Sequence, residues 1–155
     1  MNPKVESVTR QLRDAGVAGE VRILETKAHT AAIAAEQLGI EVGAIANSLI
    51  FDAEGVPLLV MTSGAHRVDT AKVATLLGIA SLRRADPEFV RRHTGQAIGG
   101  VAPIGHPEPI GTLVDIELAR YAEVWAAAGH PSTVFPTSYA ELLQITSGTA
   151  AEVGD

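Results

Sequence analysis

The five histidines have the broadest chemistry in this sequence, because an imidazole can bind a metal ion or transfer a proton near neutral pH. They stand at positions 29, 66, 93, 106 and 130. No two of them have the three- or four-residue spacing that brings two imidazoles onto one helix face. The chain has no cysteine, which excludes a thiolate zinc site. The sequence therefore predicts no metal site.

Motifs for a nucleophile or a cofactor are also missing. Neither Ser48 nor Ser63 stands in the G-x-S-x-G elbow that exposes a catalytic serine, and without cysteine there is no thiol nucleophile. The segment GQAIGG at 95–100 lacks the Lys-Ser/Thr of a phosphate-binding loop, and no G-x-G-x-x-G motif opens a helix. We therefore expect no cofactor and no hydrolase triad.

One segment, residues 95–115, combines glycine and proline with aliphatic residues: GQAIGGVAPIGHPEPIGTLVD. Gly99 and Gly100 permit positive φ and close approach of a ligand to the backbone, and Pro103 stiffens the exit of the turn. Such a wall of main chain offers N–H donors to a carbonyl oxygen or an oxyanion without any ionisable side chain. The alternative is a tight strand-to-loop corner in which the glycines serve packing alone.

Basic residues precede this segment. The formal net charge of −6 argues against a protein that coats nucleic acid, since affinity for phosphates comes mainly from lysine and arginine. A local phosphate-facing patch and a solvated helical face remain as alternatives. The residues concerned are Arg83, Arg84, Arg91 and Arg92.

Helices and strands must both contribute to positioning these residues. Apolar periodicity, capping residues and glycine stops predict helices at 5–16, 30–39, 69–78, 86–95, 116–129 and 138–148. Two apolar runs around DAEG predict a hairpin of strands at Ala46–Phe51 and Pro57–Thr62. Further extended segments are predicted at 21–25, at the start of 97–105, at 112–115 and at 133–137.

The order of these elements lacks the regular strand–helix repetition of a doubly wound sheet. It favours one α+β domain over residues 1–155, with a mixed, largely antiparallel, barrel-like sheet surrounded by helices. Aromatic residues make up only 4% of the chain, so the core must be aliphatic. The charged N-terminal segment and the lack of a long apolar run predict a soluble, cytoplasmic protein without a membrane partner.

Three segments, in this order, resemble the YbaK/prolyl-tRNA-synthetase-associated editing family of free-standing aminoacyl-tRNA deacylases. They are IANSLIFDAEGVPLLVMTSGAHRVDTAKVATLLG, RRADPEFVRRHTGQAIGGVAPIGHPEPIGTLVD and VWAAAGHPSTVF. The resemblance covers about residues 20–150. It implies a mixed, barrel-like sheet surrounded by helices, and hydrolysis of an amino acid wrongly attached to tRNA.

The resemblance assigns roles to individual residues. Gly99–Pro103 matches the family's G-x-x-x-P loop, whose backbone surrounds the aminoacyl ester. His130 in AGHP matches a position that holds a pocket residue in several members. Its alternative role is that of a helix-end histidine interacting with the helix dipole.

Asn47 stands where the family usually has a lysine before Ser or Thr, and Ser48 follows it. A lysine ammonium neutralises a phosphate or steadies the terminal ribose, whereas an amide supplies directional hydrogen bonds but no charge. Three interpretations are open: an active subgroup that uses asparagine, an enzyme with altered substrate choice, or a relative that only binds.

The resemblance implies a reaction without a side-chain nucleophile. A water, activated by a ribose hydroxyl or by the substrate amine, would attack the aminoacyl carbonyl while loop N–H groups stabilise the oxyanion. The substrate would carry a small amino acid, with prolyl tRNA as one candidate acceptor. Pocket walls are expected at Ile45, Ser48, Thr62 and Ala102, and phosphate contacts at Lys72 and the four arginines.

The expected partner is the acceptor end of an aminoacyl-tRNA, and an aminoacyl-tRNA synthetase is a further candidate. Two other functions remain open. One is a non-catalytic module that binds a tRNA end or a small ligand, and the other is hydrolysis of a different small acyl ester. The oligomeric state is equally open.

Overall fold

A computed structural model describes residues 2–28 and 30–155, so the histidine at position 29 lies outside the described residues. Within those ranges the chain forms five α-helices and eight β-strands. The helices are α1 Pro3–Asp14, α2 Ala31–Leu38, α3 Thr70–Leu77, α4 Pro87–Thr94 and α5 Tyr139–Thr146. The strands are β1 Arg22–Ile23, β2 Ile45–Ala53, β3 Val56–Ser63, β4 Arg83–Arg84, β5 Gly111–Asp115, β6 Val124–Ala127, β7 Thr133–Thr137 and β8 Thr149–Ala151.

Capping residues set the limits of α2, α3 and α4, as the sequence predicts. The side-chain oxygens of Thr30, Asp69 and Asp86 each accept a hydrogen bond from the N–H three residues later. Each of these helices then ends at a glycine in the left-handed region, at position 39, 78 or 95. These three helix predictions are confirmed.

The strands form one mixed sheet in the order β1-β7-β6-β2-β3-β5-β8, with β4 paired to β2. The pairs β1–β7, β2–β3, β2–β4 and β6–β7 are antiparallel. The pairs β2–β6, β3–β5 and β5–β8 are parallel. The mixed sheet with helices around it agrees with the predicted fold class, and the β2–β3 hairpin confirms the strongest strand prediction.

One edge of β2 is only partly paired among the described residues. β3 occupies the opposite edge along the whole hairpin, so β4 and β6 must share the remaining one. β6 pairs with Ile45 and Ala46, and β4 pairs with Phe51 and Asp52. The carbonyl of Ile50 also accepts from the N–H of Ala85, just after β4, so the backbone of 47–49 faces a gap between these two short neighbours.

The two faces of the hairpin pack into different cores, because side chains alternate along a strand. Ala46, Ile50, Leu59 and Met61 join the largest buried cluster, which also contains residues of α1 and of the 97–110 loop. Phe51, Leu58 and Val60 instead pack with Val73 and Ala74 of α3. In the part of the chain that the structure describes, no helix is both long enough and apolar enough to cross a bilayer.

The predicted helix at 116–129 is wrong. A short 3₁₀ helix covers Ile116–Arg120, and β6 follows at Val124–Ala127. Val124 and Ala126 are buried while the residues between and after them are half-buried, which is the two-residue period of a strand. Pairing on both edges, with β2 and β7, overrides the helix propensity of this alanine-rich segment.

The predicted strand at the start of 97–105 is also wrong, because that segment is irregular loop. Its backbone turns at Gly99 and again at Gly105, both with φ of +90°. Two short strands, β4 and β8, were not predicted. Strands of two or three residues give too little sequence pattern to detect.

Candidate functional site

A cleft of about 760 Å³ opens at the gap beside β2. Residues 45–51 of β2 line it, together with the 97–101 loop and parts of α2, β3, β6 and β7. Its volume falls within the range of about 300–1,000 Å³ that is typical of small-molecule sites. The interrupted sheet edge thus creates a space large enough for a ligand.

The wall on the β2–β3 side, here called the strand wall, consists of Ile45, Asn47, Ser48 and Thr62. Asn47 and Thr62 are direct cross-strand partners, so their side chains lie on the same face of the sheet. Asn47 and Ser48 are half-buried, and the Ser48 hydroxyl donates to Sδ of Met61 at 3.1 Å. These four predicted site residues all line the cleft, with Ser48 on the opposite face of the sheet from Asn47 and Thr62.

A second part of the lining, here called the loop wall, consists of Ile98, Gly99 and Val101, whereas the predicted Gly100 does not line the cleft. The N–H of Gly100 donates to the carbonyl of Ala97 at 3.1 Å, and that of Ala102 donates to Oε1 of Gln96 at 2.7 Å. Among the described residues, the N–H groups of Gly99 and Val101 have no acceptor. These two cleft-lining residues therefore carry the N–H groups that a ligand could use.

Two neighbouring glycines of this loop are required for different reasons. Gly99 adopts a φ of +90°, which residues with a Cβ rarely tolerate, and it lies at the cleft. Gly100 is buried, and a Cβ there would lie 2.5 Å from the carbonyl carbon of His130 and 2.6 Å from the nitrogen of Pro131. Its carbonyl accepts from the N–H of Gly129 at 2.9 Å. The packing role and the ligand-facing role are thus divided between the two positions.

Three other predicted pocket residues do not line the cleft. Ala102 and Pro103 are buried behind the loop, next to the core cluster. His130 is half-buried, and its Nδ1 accepts from the N–H of Ser132 at 3.1 Å and contacts the Ser132 hydroxyl at 2.8 Å. The cleft is lined by Pro131, the residue after His130.

The predicted phosphate contacts are spread over the surface. Arg84 lines the cleft, and its guanidinium lies 5.8 Å from the centre of the Phe51 ring. Arg83 is exposed and lies 3.6 Å from a carboxylate oxygen of Asp52. Lys72 donates to the carbonyl of Gly154 at 2.7 Å, away from the lining.

Arg91 and Arg92 are exposed on α4, and Arg92 lies over the ring of Phe89. Neither lines the cleft, whereas the exposed Arg67, which was not predicted, does. The cations at the cleft itself are therefore Arg67 and Arg84, out of the residues that the structure describes.

A histidine–carboxylate pair at the cleft was not predicted from the sequence. Nε2 of His66 lies 2.5 Å from Oδ2 of Asp115. Asp115 is buried, and His66 lines the cleft with about a quarter of its side chain exposed. The two residues follow β3 and end β5, which are parallel neighbours. Their meeting depends on that long-range pairing, for which the sequence gives no local signal.

Gln96 was also missed, although it organises the loop wall. This buried amide accepts from the N–H of Ala102 and donates to the carbonyl of Ile104 at 3.2 Å. Nε2 of His106 contacts the carbonyl of Ala102 at 2.9 Å. Burial lowers the pKa of His106 from its ordinary value of 6.5, and this hydrogen bond partly opposes the effect. A neutral His106 therefore donates to the loop.

The described residues contain no group of three or more His, Asp or Glu side chains that could hold a metal ion. The chemistry available in the cleft is consequently that of main-chain N–H groups, small polar side chains, two arginines and one histidine.

The aminoacyl-tRNA editing domain is the protein family whose model matches this chain, over residues 25–145. Protein YwhH of Bacillus subtilis, itself uncharacterised, is 30% identical over 128 residues, which cover 82% of this chain and 81% of that protein. The proline–tRNA ligase of Limosilactobacillus fermentum is 36% identical over 96 residues. That match covers 59% of this chain but only 17% of the ligase.

One solved structure matches this chain over its whole length. A protein described as a proposed trans-editing enzyme for prolyl-tRNA synthetase has a TM-score of 0.93 and 39% sequence identity with this chain. The match covers 100% of this chain and 99% of the other.

Proposed function

Because this chain belongs to the aminoacyl-tRNA editing domain family, we propose that it is a trans-editing aminoacyl-tRNA deacylase. In this proposal it hydrolyses the ester of a small amino acid wrongly attached to tRNA, with prolyl tRNA as the first candidate. The observation that carries the proposal is one cleft that is lined both by the strand wall and by Gly99 and Val101, whose N–H groups have no acceptor among the described residues.

The reaction we propose is attack of a water on the aminoacyl carbonyl. As the tetrahedral intermediate forms, negative charge develops on the carbonyl oxygen, and the N–H groups of Gly99 and Val101 donate to it. Gly100 and Ala102 cannot share this role without breaking their present hydrogen bonds. The loop is already fixed by Gln96 and by the packing of Gly100, so little reorganisation is needed during the reaction.

The size of the cleft fits the end of a tRNA better than an amino acid alone. A small amino acid fills only a fraction of about 760 Å³, which leaves room for the terminal ribose and base. A methyl or methylene group changes binding by only about 1–3 kcal/mol, so a synthetase cannot reject every near-cognate amino acid, and a second hydrolytic site is useful. We propose Ile45, Ser48 and Thr62 as the residues that contact the amino acid.

Asn47 is proposed to orient the ribose hydroxyl or the ester carbonyl by hydrogen bonding. It brings no positive charge, but Arg67 and Arg84 line the same cleft and are suited to the phosphates of the acceptor end. The interpretation of an active subgroup that uses asparagine is therefore preferred. The proposed working partner is aminoacyl-tRNA delivered in the cytoplasm, with prolyl-tRNA synthetase as the candidate synthetase.

The test is a panel of mischarged tRNAs. Alanyl, cysteinyl, seryl and threonyl esters on prolyl tRNA and on other acceptors are incubated with the protein, and loss of the ester is followed. We expect hydrolysis of at least one small-residue ester and no hydrolysis of correctly charged prolyl tRNA. Binding without hydrolysis across the whole panel would overturn the enzyme and favour a tRNA-end binding module.

Asn47 variants then test the site. Asn47→Ala should lower the rate about fivefold to tenfold, since one hydrogen bond to the substrate contributes about 1–1.5 kcal/mol. Gln144→Ala removes a comparable amide from the exposed face of α5 and should leave the rate unchanged. A higher rate for Asn47→Lys would indicate that the native cleft lacks a useful charge. Equal rates for Asn47→Ala and the native protein would remove Asn47 from the proposed site.

A further inference from the structure

The side chain of Asp115 is held by four hydrogen-bonding contacts. Its Oδ2 accepts from the N–H of Ser63 at 2.9 Å and from the Thr62 hydroxyl at 3.3 Å, and Nε2 of His66 lies 2.5 Å away. Its Oδ1 accepts from the N–H of Glu117 at 3.0 Å. An ionised carboxylate only accepts hydrogen bonds, so His66 must be the donor at Nε2.

That bond fixes the tautomer of His66. With the proton on Nε2, the lone pair of the neutral imidazole is on Nδ1, which is then free to accept a proton. A carboxylate that orients an imidazole also stabilises the charged ring formed when the proton arrives. The pair is therefore arranged for proton transfer at Nδ1.

The ring of His66 has a defined position at the edge of the cleft. It packs against the backbone of Gly154, where any Cβ would overlap Cε1 and Nδ1 of the ring. One side of the ring is thus held by the segment after β8, while the residue as a whole lines the cleft. This packing restricts the orientations of the ring to those that the Asp115 contact allows.

The pair is continuous with the strand wall. The Thr62 hydroxyl that contacts Asp115 belongs to the direct cross-strand partner of Asn47. His66, Thr62 and Asn47 therefore line the same cleft as Gly99 and Val101 of the loop wall.

We propose that His66 is a catalytic general base of the ester hydrolysis and that Asp115 is its positioning residue. This inference rests on the proposed function. Nδ1 of His66 takes a proton from the attacking water while the water oxygen bonds to the aminoacyl carbonyl carbon. The bond from that carbon to the ribose oxygen then breaks, and the proton passes from the imidazolium to the leaving ribose oxygen. The products are the free amino acid and tRNA with its ribose hydroxyl restored.

Two other charged residues lie on the elements around His66, and neither is in hydrogen-bond contact with its ring. Arg67 follows it in the chain, and its N–H donates to a carboxylate oxygen of Asp155 at 3.2 Å. Lys72 on α3 donates to the carbonyl of Gly154. Asp115 is thus the charged side chain in hydrogen-bond contact with the imidazole among the described residues.

The test compares His66→Gln with the native protein in single-turnover and steady-state deacylation of the best substrate of the panel. A general base contributes about 10²–10⁴-fold, so kcat should fall by that factor while KM changes little. His93→Gln, a change on α4 where the ring contacts Phe89, is the matched control and should keep the native kcat. Thermal unfolding checks that both variants fold.

Two further measurements separate catalysis from a structural role. The native rate should fall on acidification, because a protonated base cannot accept a proton from water, and His66→Gln should lose this dependence. Added imidazole should restore part of the activity of His66→Gly and none in His66→Gln, because only the glycine variant leaves room for it.

The possible outcomes are distinct. If the native protein hydrolyses no ester of the panel, the proposed function fails. If the native protein is active and His66→Gln keeps its kcat and its pH profile, only the general base fails, and the substrate's own hydroxyl or amine activates the water. Loss of activity in His66→Gly without imidazole rescue, together with a rise in KM alone for His66→Gln, would also overturn the proposal.

Discussion

The two walls of the cleft offer different chemistry and are held by different forces. The loop wall includes Gly99 and Val101, whose N–H groups have no acceptor among the described residues, and the loop is fixed by the buried amide of Gln96 and by the packing of Gly100. The strand side of the cleft carries polar residues of the β2–β3 ladder and His66, which follows β3 and contacts Asp115 at the end of β5. Donors for a developing negative charge thus face an acceptor for a proton. The difference suggests that the loop serves the oxyanion and the strand side serves the water.

The largest effect on stability is expected on the strand side of the cleft, at Asp115. Asp115→Ala removes the acceptor of two N–H groups, those of Ser63 and Glu117, and leaves them without a partner inside the protein. Each such loss costs about 1–3 kcal/mol, so we expect the free energy of unfolding to fall by about 3 kcal/mol in urea denaturation. Asp115→Asn keeps a carbonyl acceptor, so its free energy of unfolding should fall clearly less than that of Asp115→Ala. Equal losses in the two variants would contradict the hydrogen-bond explanation.

The loop wall should be most sensitive to substitution at Gly100. A Cβ there meets backbone atoms of His130 and Pro131, which cannot move aside as a flexible side chain can. Gly100→Ala should therefore cost about 1–3 kcal/mol and displace the loop, with deacylation reduced about 10²-fold. Gly111→Ala is the control, because a Cβ there meets nothing within 4 Å. It should change neither the stability nor the deacylation rate much. A native-like Gly100→Ala would show that the loop does not depend on this contact.

Gln96 tests whether a single amide holds the loop wall. Gln96→Ala leaves the N–H of Ala102 unpaired and should cost about 1–2 kcal/mol, with a lower kcat because the loop becomes mobile. Gln96→Glu retains an acceptor for Ala102 but places a buried carboxylate beside the carbonyl of Ile104, so it should lower the unfolding free energy at least as much as Gln96→Ala. Hydrogen exchange at Ala102 provides the direct readout. Slow exchange of that N–H in Gln96→Ala would contradict the proposed clamp.

Local sequence patterns mark the loop glycines but not the His66–Asp115 pair, for a physical reason. The glycines at 99 and 100 are local signals, since a turn or a close backbone approach leaves its mark on the residues that make it. The His66–Asp115 pair carries no local signal, because two positions 49 residues apart meet only through the parallel pairing of β3 with β5. The helix prediction for 116–129 was wrong for a similar reason, because pairing with β2 and β7 determined the structure of β6.

Other site predictions stay predictions, and the structure narrows what each could do. Ile45, Asn47, Ser48 and Thr62 all line the cleft. Ala102 and His130 face away from the lining, and sequence position alone could not distinguish a residue in the loop from one behind it.

A smaller effect is expected for the arginines outside the cleft. The double change Arg91→Glu and Arg92→Glu should weaken binding of uncharged tRNA. It should also reduce the slope of log affinity against log salt by up to about 2, because each phosphate contact contributes about 0.9. The same charge reversal at Arg10 and Arg13 on α1 is the control. Unchanged affinity and slope for the α4 pair would restrict phosphate binding to Arg67 and Arg84.

The smallest effect concerns His106 behind the loop wall. Burial lowers its pKa below the ordinary value of 6.5, so the unfolded chain binds a proton more readily than the folded one. The stability that the neutral ring contributes is therefore present above about pH 6.5 and is lost as the pH falls below it. His106→Gln should show a flatter decline of unfolding free energy on acidification. An identical decline in the variant would contradict the assignment.

The different roles proposed for the N–H groups of the loop can be tested by amide hydrogen exchange. The measurement is made with and without a non-hydrolysable 3′-aminoacylamide analogue of the terminal adenosine. The account predicts fast exchange at Gly99 and Val101 in the free protein and slower exchange at both when the analogue is bound. Gly100 and Ala102, whose N–H groups already have acceptors, should change little. Unchanged exchange at Gly99 and Val101 under saturating analogue would contradict the central claim that their N–H groups bind the ester.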